Sequence, residues 1–334
     1  MLHLIKIQNS DSVGRREFLT RCTKAGLSLT TACALAYWFY DPMAPSGRQK
    51  VDVLPGLPDY SVPEMGNRMA IVRGTDRAKT IRLALEAIGG LERYIRPRDR
   101  VLLKVNAAFA SPPMLCATSH PDLVTEIARL CLKVGASSVI VADNPINDPA
   151  SCFALSGIEK AAREAGAKVV LPRRDSFRYF TLEGGLLIRE WPLLYAPLQS
   201  VDKVIGMAPL KDHHRSGASM TLKNWYGLLG GRRNIFHQDI HNIIKELSML
   251  LKATFVVLDG TATMMRNGPT GGSLSDLKET GTMIVSTDPV AADAYGASLL
   301  ERTLDELPFI KKAEAEGVGM SDYASLNPKI LTTD

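Results

Sequence analysis

The sequence predicts an α/β protein with two domains, each built on a mainly parallel sheet flanked by helices, and a site in the cleft between them. Short apolar runs, such as 101–105 and 139–142, alternate with segments of helical periodicity such as 121–134. This alternation is typical of a parallel sheet covered on both faces. Because 334 residues exceed the usual size of one core, we expect one α/β domain over 67–200 and another over 201–334.

Each element has its own local signal. Ile81, Leu85 and Ile88 recur at helical spacing, and glycine at 135 ends the next helix. The strands are expected at 68–72, 101–106, 139–143, 168–171, 201–207, 254–259 and 282–286. The helices are expected near 76–94, 121–134, 154–165, 240–251, 289–300 and 306–316. Residues 173–197 are less regular and predict a hairpin or an insertion.

The N-terminal 40 residues have the pattern of a twin-arginine export signal. Arg15 and Arg16 precede a mostly apolar run over 25–40, and a proline-rich linker is expected over 41–66. The run is short for a membrane-spanning helix, so it is either cleaved or kept as an anchor. We expect a periplasmic or otherwise extracytoplasmic protein that uses the twin-arginine translocation machinery. Membrane contact would come only through residues 25–40.

The charge and the cysteines limit the class of protein. Without residues 1–40, which hold five basic and two acidic residues, the net charge falls from +5 to +2. Nucleic-acid binding therefore has little support in the composition. Cys116, Cys131 and Cys152 lack CxxC spacing, so we expect no iron–sulfur cluster.

The segment 210–237 is the strongest candidate for a site. It combines three histidines, five Lys or Arg residues and four glycines with one acidic residue, directly after an apolar run. A strand that leads into such a loop is typical of an anion-binding site. The candidate catalytic residues are Lys211, His213, Lys223 and His237. Lys223 could act as a base, as a covalent attachment point or as a simple anion clamp, and His237 could bind a metal through its imidazole.

Other polar residues follow the ends of the predicted strands. Ligands of open α/β sheets bind at that edge, so these residues are candidate ligand-binding groups: Lys104, Asn106, His120, Asn224, Asp259, Gly268, Gly271 and Asp293. Gly268 and Gly271 could form a backbone nest for an anion, or only a flexible turn. His120 could cap the following helix or face the cleft. Trp225 and Tyr226 are expected to pack in the core.

Several of these motifs, in this order, resemble the family called domain of unknown function 362. They are Lys104-Val105-Asn106, Thr118-Ser119-His120-Pro121, Leu210-Lys211-Asp212-His213, Thr221–Gly227, Leu258-Asp259-Gly260, Gly268-Pro269-Thr270-Gly271 and Asp288–Asp293. The likeness covers about residues 68–316 and implies the fold and the location of the site. Many relatives carry a ferredoxin-type domain, for which this chain lacks the cysteines.

A shorter pattern is similar to that of nickel-pincer lactate racemases. It consists of His213, Gly217, Ser219 and Lys223, with His237 further on. That likeness implies a nickel-pincer nucleotide, or another metal, with Lys223 as its tether and His237 as the nickel ligand. His213 or His120 would then transfer the substrate proton.

These observations lead to one functional expectation and one alternative. We expect an exported protein that binds a small carboxylate or phosphate in the interdomain cleft, as an enzyme of the isomerase or oxidoreductase type. The alternative is a non-catalytic anion-binding or accessory subunit of a membrane-associated redox complex.

Overall fold

A computed structural model describes residues 14–38 and 53–333. The first segment contains helix α1 (Arg15–Trp38). No helix in the described part of the chain is both long and apolar enough to cross a bilayer. Of the expected export signal, the structure describes residues 14–38. Residues 41–52 of the expected linker lie outside the described residues.

From residue 53 onward the chain forms one compact unit. Its strands are β1 (Val53–Leu54), β2 (Met69–Arg73), β3 (Arg100–Lys104), β4 (Ser138–Ala142), β5 (Lys168–Val170), β6 (Phe177–Phe180), β7 (Trp191–Leu194), β8 (Lys203–His213), β9 (Gly217–Ser219), β10 (Phe255–Met264), β11 (Leu277–Ser286) and β12 (Lys329–Thr332). Its helices are α2 (Arg77–Ala87), α3 (Pro121–Lys133), α4 (Pro149–Leu155), α5 (Ile158–Glu164), α6 (Thr221–Asn224), α7 (Ile240–Met249), α8 (Pro289–Leu299) and α9 (Pro308–Ala315).

Nine strands form one large sheet in the order β12-β2-β11-β10-β8-β3-β4-β5, with β9 paired to β8. Strands β10, β8, β3, β4 and β5 run parallel to one another, whereas β11 runs antiparallel to both β10 and β2. The expected α/β class with a mainly parallel, helix-flanked sheet is confirmed.

The expected division into two domains is not observed. Strand β8 belongs to the predicted second domain, yet it pairs with β3 of the predicted first domain, as Leu102 with Val204 and Leu103 with Ile205. The ladder therefore crosses the expected boundary at 200/201. The site accordingly cannot lie in an interdomain cleft and must lie at an edge of the single sheet.

Helices cover both faces of this sheet, which gives the molecule two hydrophobic cores. On one face α2, α3 and α5 bury residues such as Leu85, Ile127 and Ile158. On the other face α7, α8 and α9 bury residues such as Ile243 and Phe309. Strands buried on both faces explain the continuous apolar runs in the sequence.

The starts of α2 and α8 and the end of α2 each have a local cause in the sequence. Asp76 caps α2 by accepting from the amides of Ala78 and Lys79. The helix expected over 76–94 stops at Ala87, since the next two glycines have φ angles of 120° and 92°, a region unfavourable for other residues. Asp288 caps α8 by accepting from the Ala291 amide at 2.9 Å.

The irregular segment 173–197 contains the expected hairpin. Strands β6 and β7 pair antiparallel, and β1 adds to β6. The loop between β6 and β7 is held by the buried Glu246 carboxylate, which accepts from the amides of Leu186, Leu187 and Ile188 at 2.7 to 3.1 Å. The second half of the expected linker also packs on the unit, because Tyr60 is 1% exposed and donates its hydroxyl to the Leu198 carbonyl.

Candidate functional site at the carboxyl ends of the parallel strands

A cavity of about 810 Å³ opens where β3, β4 and β8 end. This is the edge at which open α/β sheets bind ligands. Seven of the sequence-predicted residues line it, namely Asn106, Lys211, His213, Lys223, Asn224, His237 and Gly268. Further lining residues include Asp143, His214, Arg215, Tyr226 and Arg233. Asp143 is the only carboxylate in the described lining, so the wall carries an excess of positive charge.

The floor of the cavity is a buried polar network around Lys104 and Asp143. The Lys104 ammonium lies 2.7 Å from Asp143 Oδ1 and donates to the carbonyls of Val105 and Asn224. The other Asp143 oxygen accepts from the Ala107 amide at 2.7 Å. Lys104 therefore lies beneath the pocket and pairs with Asp143, and among the described residues no carboxylate forms an ion pair with the lining cations above.

Glycine is required at position 227 because the chain passes directly over this ion pair. A Cβ atom there would lie 1.9 Å from Asp143 Oδ1 and 2.8 Å from Lys104 Nζ. Asn224 joins the same network through its amide nitrogen, which donates to the carbonyls of Lys104 and Met207, and through its oxygen, which accepts from Asn106. Both asparagines thus order the floor of the pocket.

Helix α6 places Lys223 in the wall, and Asp293 holds the start of this short helix. The Asp293 carboxylate accepts from the amides of Thr221 and Leu222 at 2.8 and 3.0 Å and from the Thr221 hydroxyl at 2.5 Å. Burial raises the pKa of Asp293 to about 7 against these hydrogen bonds. Asp293 is outside the pocket lining, so it positions Lys223 and does not contact a ligand.

Lys211 and Lys223 differ in their surroundings although both are buried. The Lys211 ammonium donates to the carbonyls of Ala117 and Pro269. The Lys223 nitrogen has no hydrogen-bond acceptor or carboxylate in contact among residues 53–333, and it lies 5.2 Å from the centre of the Tyr226 ring. Burial lowers the pKa of both lysines to about 7, with repulsion from Lys223 acting on Lys211 and repulsion from Arg233 acting on Lys223.

Three histidine rings stack along one side of the pocket. The His213 ring lies 5.1 Å from that of His214 and 5.9 Å from that of His237, and the rings are nearly parallel. His213 Nδ1 accepts from the amides of Arg215 and Ser216. Its proton must therefore lie on Nε2, and burial with the nearby lysines lowers its pKa to about 2. His213 is a neutral hydrogen-bond donor in this arrangement.

His237 takes the opposite tautomer. The Tyr226 hydroxyl donates to the Arg233 carbonyl at 2.6 Å, so its oxygen is free to accept from His237 Nδ1 at 3.1 Å. The Asn234 carbonyl lies 3.3 Å from the same nitrogen. With its proton on Nδ1, His237 keeps a lone pair on Nε2, as a metal ligand or a base requires. Burial and Lys223 lower the pKa of His237, which favours this neutral form.

Five of the sequence-predicted residues lie outside the pocket lining, namely Lys104, His120, Asp259, Gly271 and Asp293. Asp259 forms an ion pair with Arg77 at 2.7 Å, and His120 caps α3 by accepting from the Asp122 amide, so its capping alternative is observed. Gly268 lines the pocket, but its amide donates to Asp212, while the Gly271 amide donates to the Asn267 carbonyl. These two amides are thus engaged within the protein and do not form the expected anion nest.

Arg233 and Tyr226 line the pocket although they are not among the predicted site residues. The sequence indicates Arg233 only as part of the cationic segment 210–237 and favours the core for Tyr226. Arg233 is 8% exposed and donates to the carbonyls of Tyr226, Leu229 and Asn144. The one available signal is the glycine pair at 230 and 231, two positions before Arg233, where Gly231 has a φ of 59° and allows a sharp turn of the chain.

The described residues contain no group of three or more His, Cys, Asp or Glu side chains arranged to hold a metal ion. The three stacked rings do not meet this requirement, since nearly parallel planes do not direct their nitrogens to one point. A metal bound here would need a ligand set completed by another group.

The fold and the pocket define an α/β protein with a cationic ligand site at the carboxyl edge of its sheet. The chain belongs to the DUF362 family, a domain of unknown function, whose sequence profile matches residues 101–298. The expected family membership is therefore confirmed.

One curated relative is the thylakoid-associated protein sll1697 of Synechocystis sp. It is 24% identical over 262 residues, which span 74% of this chain and 76% of the relative. Among solved structures, the chain is similar to the lactate racemase apoprotein of Thermoanaerobacterium thermosaccharolyticum, with 14% identity and a TM-score of 0.39. It is also similar to a Thermotoga maritima protein, with 10% identity and a TM-score of 0.35. The aligned regions cover 72% of this chain and 58% of each solved structure.

Replacing Lys223 by Met is expected to stabilise the protein. The pKa of this lysine falls from 10.5 to about 7 on folding, so the unfolded state binds the proton more tightly and the residue opposes folding below about pH 10. This destabilisation of the folded state by Lys223 grows as the pH falls from about 10 to about 7 and stays constant at lower pH. At about pH 7 the gain should be on the order of 1 kcal/mol, or about 2 °C in Tm.

Thermal unfolding of the two proteins at about pH 7 and about pH 10 measures this effect, and the gain should shrink at the higher pH. Lys160→Met is the matched control, because that side chain is 80% exposed and should change stability by less than about 0.5 kcal/mol. A loss of stability in Lys223→Met at both pH values would contradict the absence of a polar partner for Lys223.

Proposed function

We propose that the pocket binds a small anionic molecule, a carboxylate or a phosphate, and that the protein is an enzyme of the isomerase or oxidoreductase type. The observation that carries this proposal is the charge imbalance of the lining. Lys211, Lys223 and Arg233 are all buried, whereas the carboxylate of Asp143 is already paired with Lys104.

Buried cations without counter-ions are costly, and a bound anion would remove that cost. It would favour the charged form of Lys211, which burial disfavours. His213 would add a neutral N–H donor, and His237 a neutral base, within the same cavity. A neutral base and a neutral N–H donor beside an anion site support removal of a proton from the bound molecule, with the donor stabilising the negative charge that develops.

Anion binding should depend on pH in a defined direction. The pKa of Lys211 is about 7 in the free protein and should rise when an anion binds, so binding takes up a proton above about pH 7. The affinity for inorganic phosphate and for pyruvate should therefore be highest near neutral pH and fall at higher pH. Isothermal titration calorimetry in buffers of different ionisation enthalpy measures both the affinity and the proton uptake.

The Lys211→Met variant should bind either anion at least about tenfold more weakly, because a charged hydrogen bond is lost. Lys160→Met, at an exposed position, should bind like the unchanged protein. Equal affinity in Lys211→Met, or tighter binding at alkaline pH, would refute this assignment of the pocket.

A second candidate ligand, a nickel-pincer nucleotide, is supported by the presence of both Lys223 and His237 in the pocket lining. Lys223 has the free nitrogen that a tether needs, and His237 keeps a lone pair on Nε2. These two residues fit the group and would hold it, and the bound group would supply a metal centre that exchanges electrons with the substrate. His120, the other residue implied by the likeness, caps α3 outside the pocket.

Metal analysis and intact mass of protein purified from its own host test this candidate. Near-stoichiometric nickel together with a covalent adduct on Lys223 is the expected result for a bound group. The Lys223→Arg variant should lose both, since arginine keeps the charge but not the reactive amine. An unmodified mass with no metal would eliminate the cofactor while leaving the anion site in place.

We also propose that the protein is exported by the twin-arginine route and acts outside the cytoplasm. The support is the Arg15-Arg16 pair at the start of α1. The Synechocystis relative is named for its association with thylakoids, which is consistent with a membrane-adjacent location.

Replacing both Arg15 and Arg16 by Lys should abolish export, because the translocation machinery reads the arginine pair and not charge alone. Cell fractionation followed by immunoblotting measures the exported share. Arg21→Lys, a conservative change in the same helix, serves as the control and should leave export intact. Normal export of the double variant would overturn the localisation.

A further inference from the structure

Three lysines are buried at this edge of the sheet, and only one has a free nitrogen. Lys104 is engaged by Asp143 and by two carbonyls. Lys211 is engaged by the carbonyls of Ala117 and Pro269. Among residues 53–333, Lys223 has no acceptor, and it lines the open cavity. This difference matters because carbonyl acceptors stabilise an ammonium, whereas an amine needs none.

The pKa of each pocket lysine is lowered to about 7, so only their hydrogen bonds distinguish the two residues. Their charges repel each other, so a proton shared by the pair resides on the residue whose surroundings favour the charged form. That residue is Lys211, through its two carbonyl acceptors. Lys223 is left as an amine beside the face of Tyr226, with Arg233 stacked 5.7 Å from the same ring.

We propose that Lys223 is a nucleophile that forms an imine with a substrate carrying both a carboxylate and an aldehyde or ketone carbonyl. This inference rests on the proposed anion site and narrows its substrate class to small oxo acids. Lys211 would bind the carboxylate as an ammonium, and Lys223 would attack the carbonyl carbon as an amine. A neutral amine in a desolvated, cationic pocket is the form in which lysine reacts with carbonyl groups.

The reaction balances without any further reagent. The Lys223 nitrogen forms a bond to the carbonyl carbon, and the carbonyl oxygen departs as water with the two amine protons. The His213 N–H is a neutral donor in the same lining and can hydrogen-bond the oxygen as its negative charge develops. The product is an imine between the Lys223 nitrogen and the former carbonyl carbon.

Reductive trapping tests the proposal on the full chain. Protein with an unmodified Lys223 is incubated with pyruvate and sodium cyanoborohydride at about pH 7, where exposed lysines are almost fully protonated. Hydride adds to the imine carbon, so the protein gains the mass of pyruvic acid less one oxygen atom. Peptide mapping should place the adduct on Lys223, formed at least about tenfold faster than on any exposed lysine.

Two variants make the result specific. Lys223→Arg keeps a cation but cannot form an imine, and it should lose the fast adduct. Lys160→Arg, at an 80% exposed position, should still label at Lys223. Circular dichroism establishes that both variants fold. A pH series on the unchanged protein gives a readout that needs no variant, because the share of the label on Lys223 relative to exposed lysines should be highest near pH 7 and fall towards pH 10, as exposed lysines lose their protons and the anion site weakens.

The outcomes separate this inference from the proposed function. Slow labelling spread over exposed lysines, in protein that binds inorganic phosphate by calorimetry, would overturn the imine and leave the anion site standing. Failure to bind phosphate or pyruvate, with no preferred adduct, would overturn both. Rapid labelling at Lys211 with Lys223 unmodified would reverse the assigned roles and also overturn the proposal.

Discussion

The buried ion pair between Lys104 and Asp143 is the interaction on which the site depends. It joins the ends of β3 and β4, and Gly227 allows the chain after α6 to pass directly above it. Asp143 is the only carboxylate of the described lining and it is paired with Lys104. The other ionisable side chains that line the cavity are lysines, arginines, histidines and one tyrosine. The same contact therefore shapes the floor of the pocket and sets the sign of its potential.

Burial then gives chemically similar residues different properties. Lys211 and Lys223 are two lysines in one cavity, yet only the first has carbonyl acceptors. His213 and His237 are two histidines of one stack, yet backbone amides fix the proton of the first on Nε2, while Tyr226 fixes that of the second on Nδ1. Two lysines thus provide an ammonium and an amine. Two histidines provide a hydrogen-bond donor and a base. Local hydrogen bonds make the distinction, as they do in many acid–base sites.

Much of the site is predictable from the sequence because several of its residues lie in one short segment, 210–237. Lys211 and His213 lie at the end of β8, and Lys223 follows ten positions after the strand ends, so their proximity needs little tertiary information. The grounds for Asp259 and His120 are weaker. Asp259 ends a predicted strand, and His120 precedes a predicted helix. Asp259 instead pairs with Arg77 from α2, a partner 182 residues away, which no local pattern reveals.

The sequence by itself determined the class of the fold, the position of most strands and helices, the family and the cationic segment, because periodicity, caps and motif order are local properties. Only the tertiary structure decided that β8 pairs with β3, which merges the two expected domains into one sheet. It alone also decided which lysine is free and which nitrogen of each histidine carries the proton. Those properties depend on partners brought together from distant parts of the chain, and burial turns each such contact into a difference in charge state.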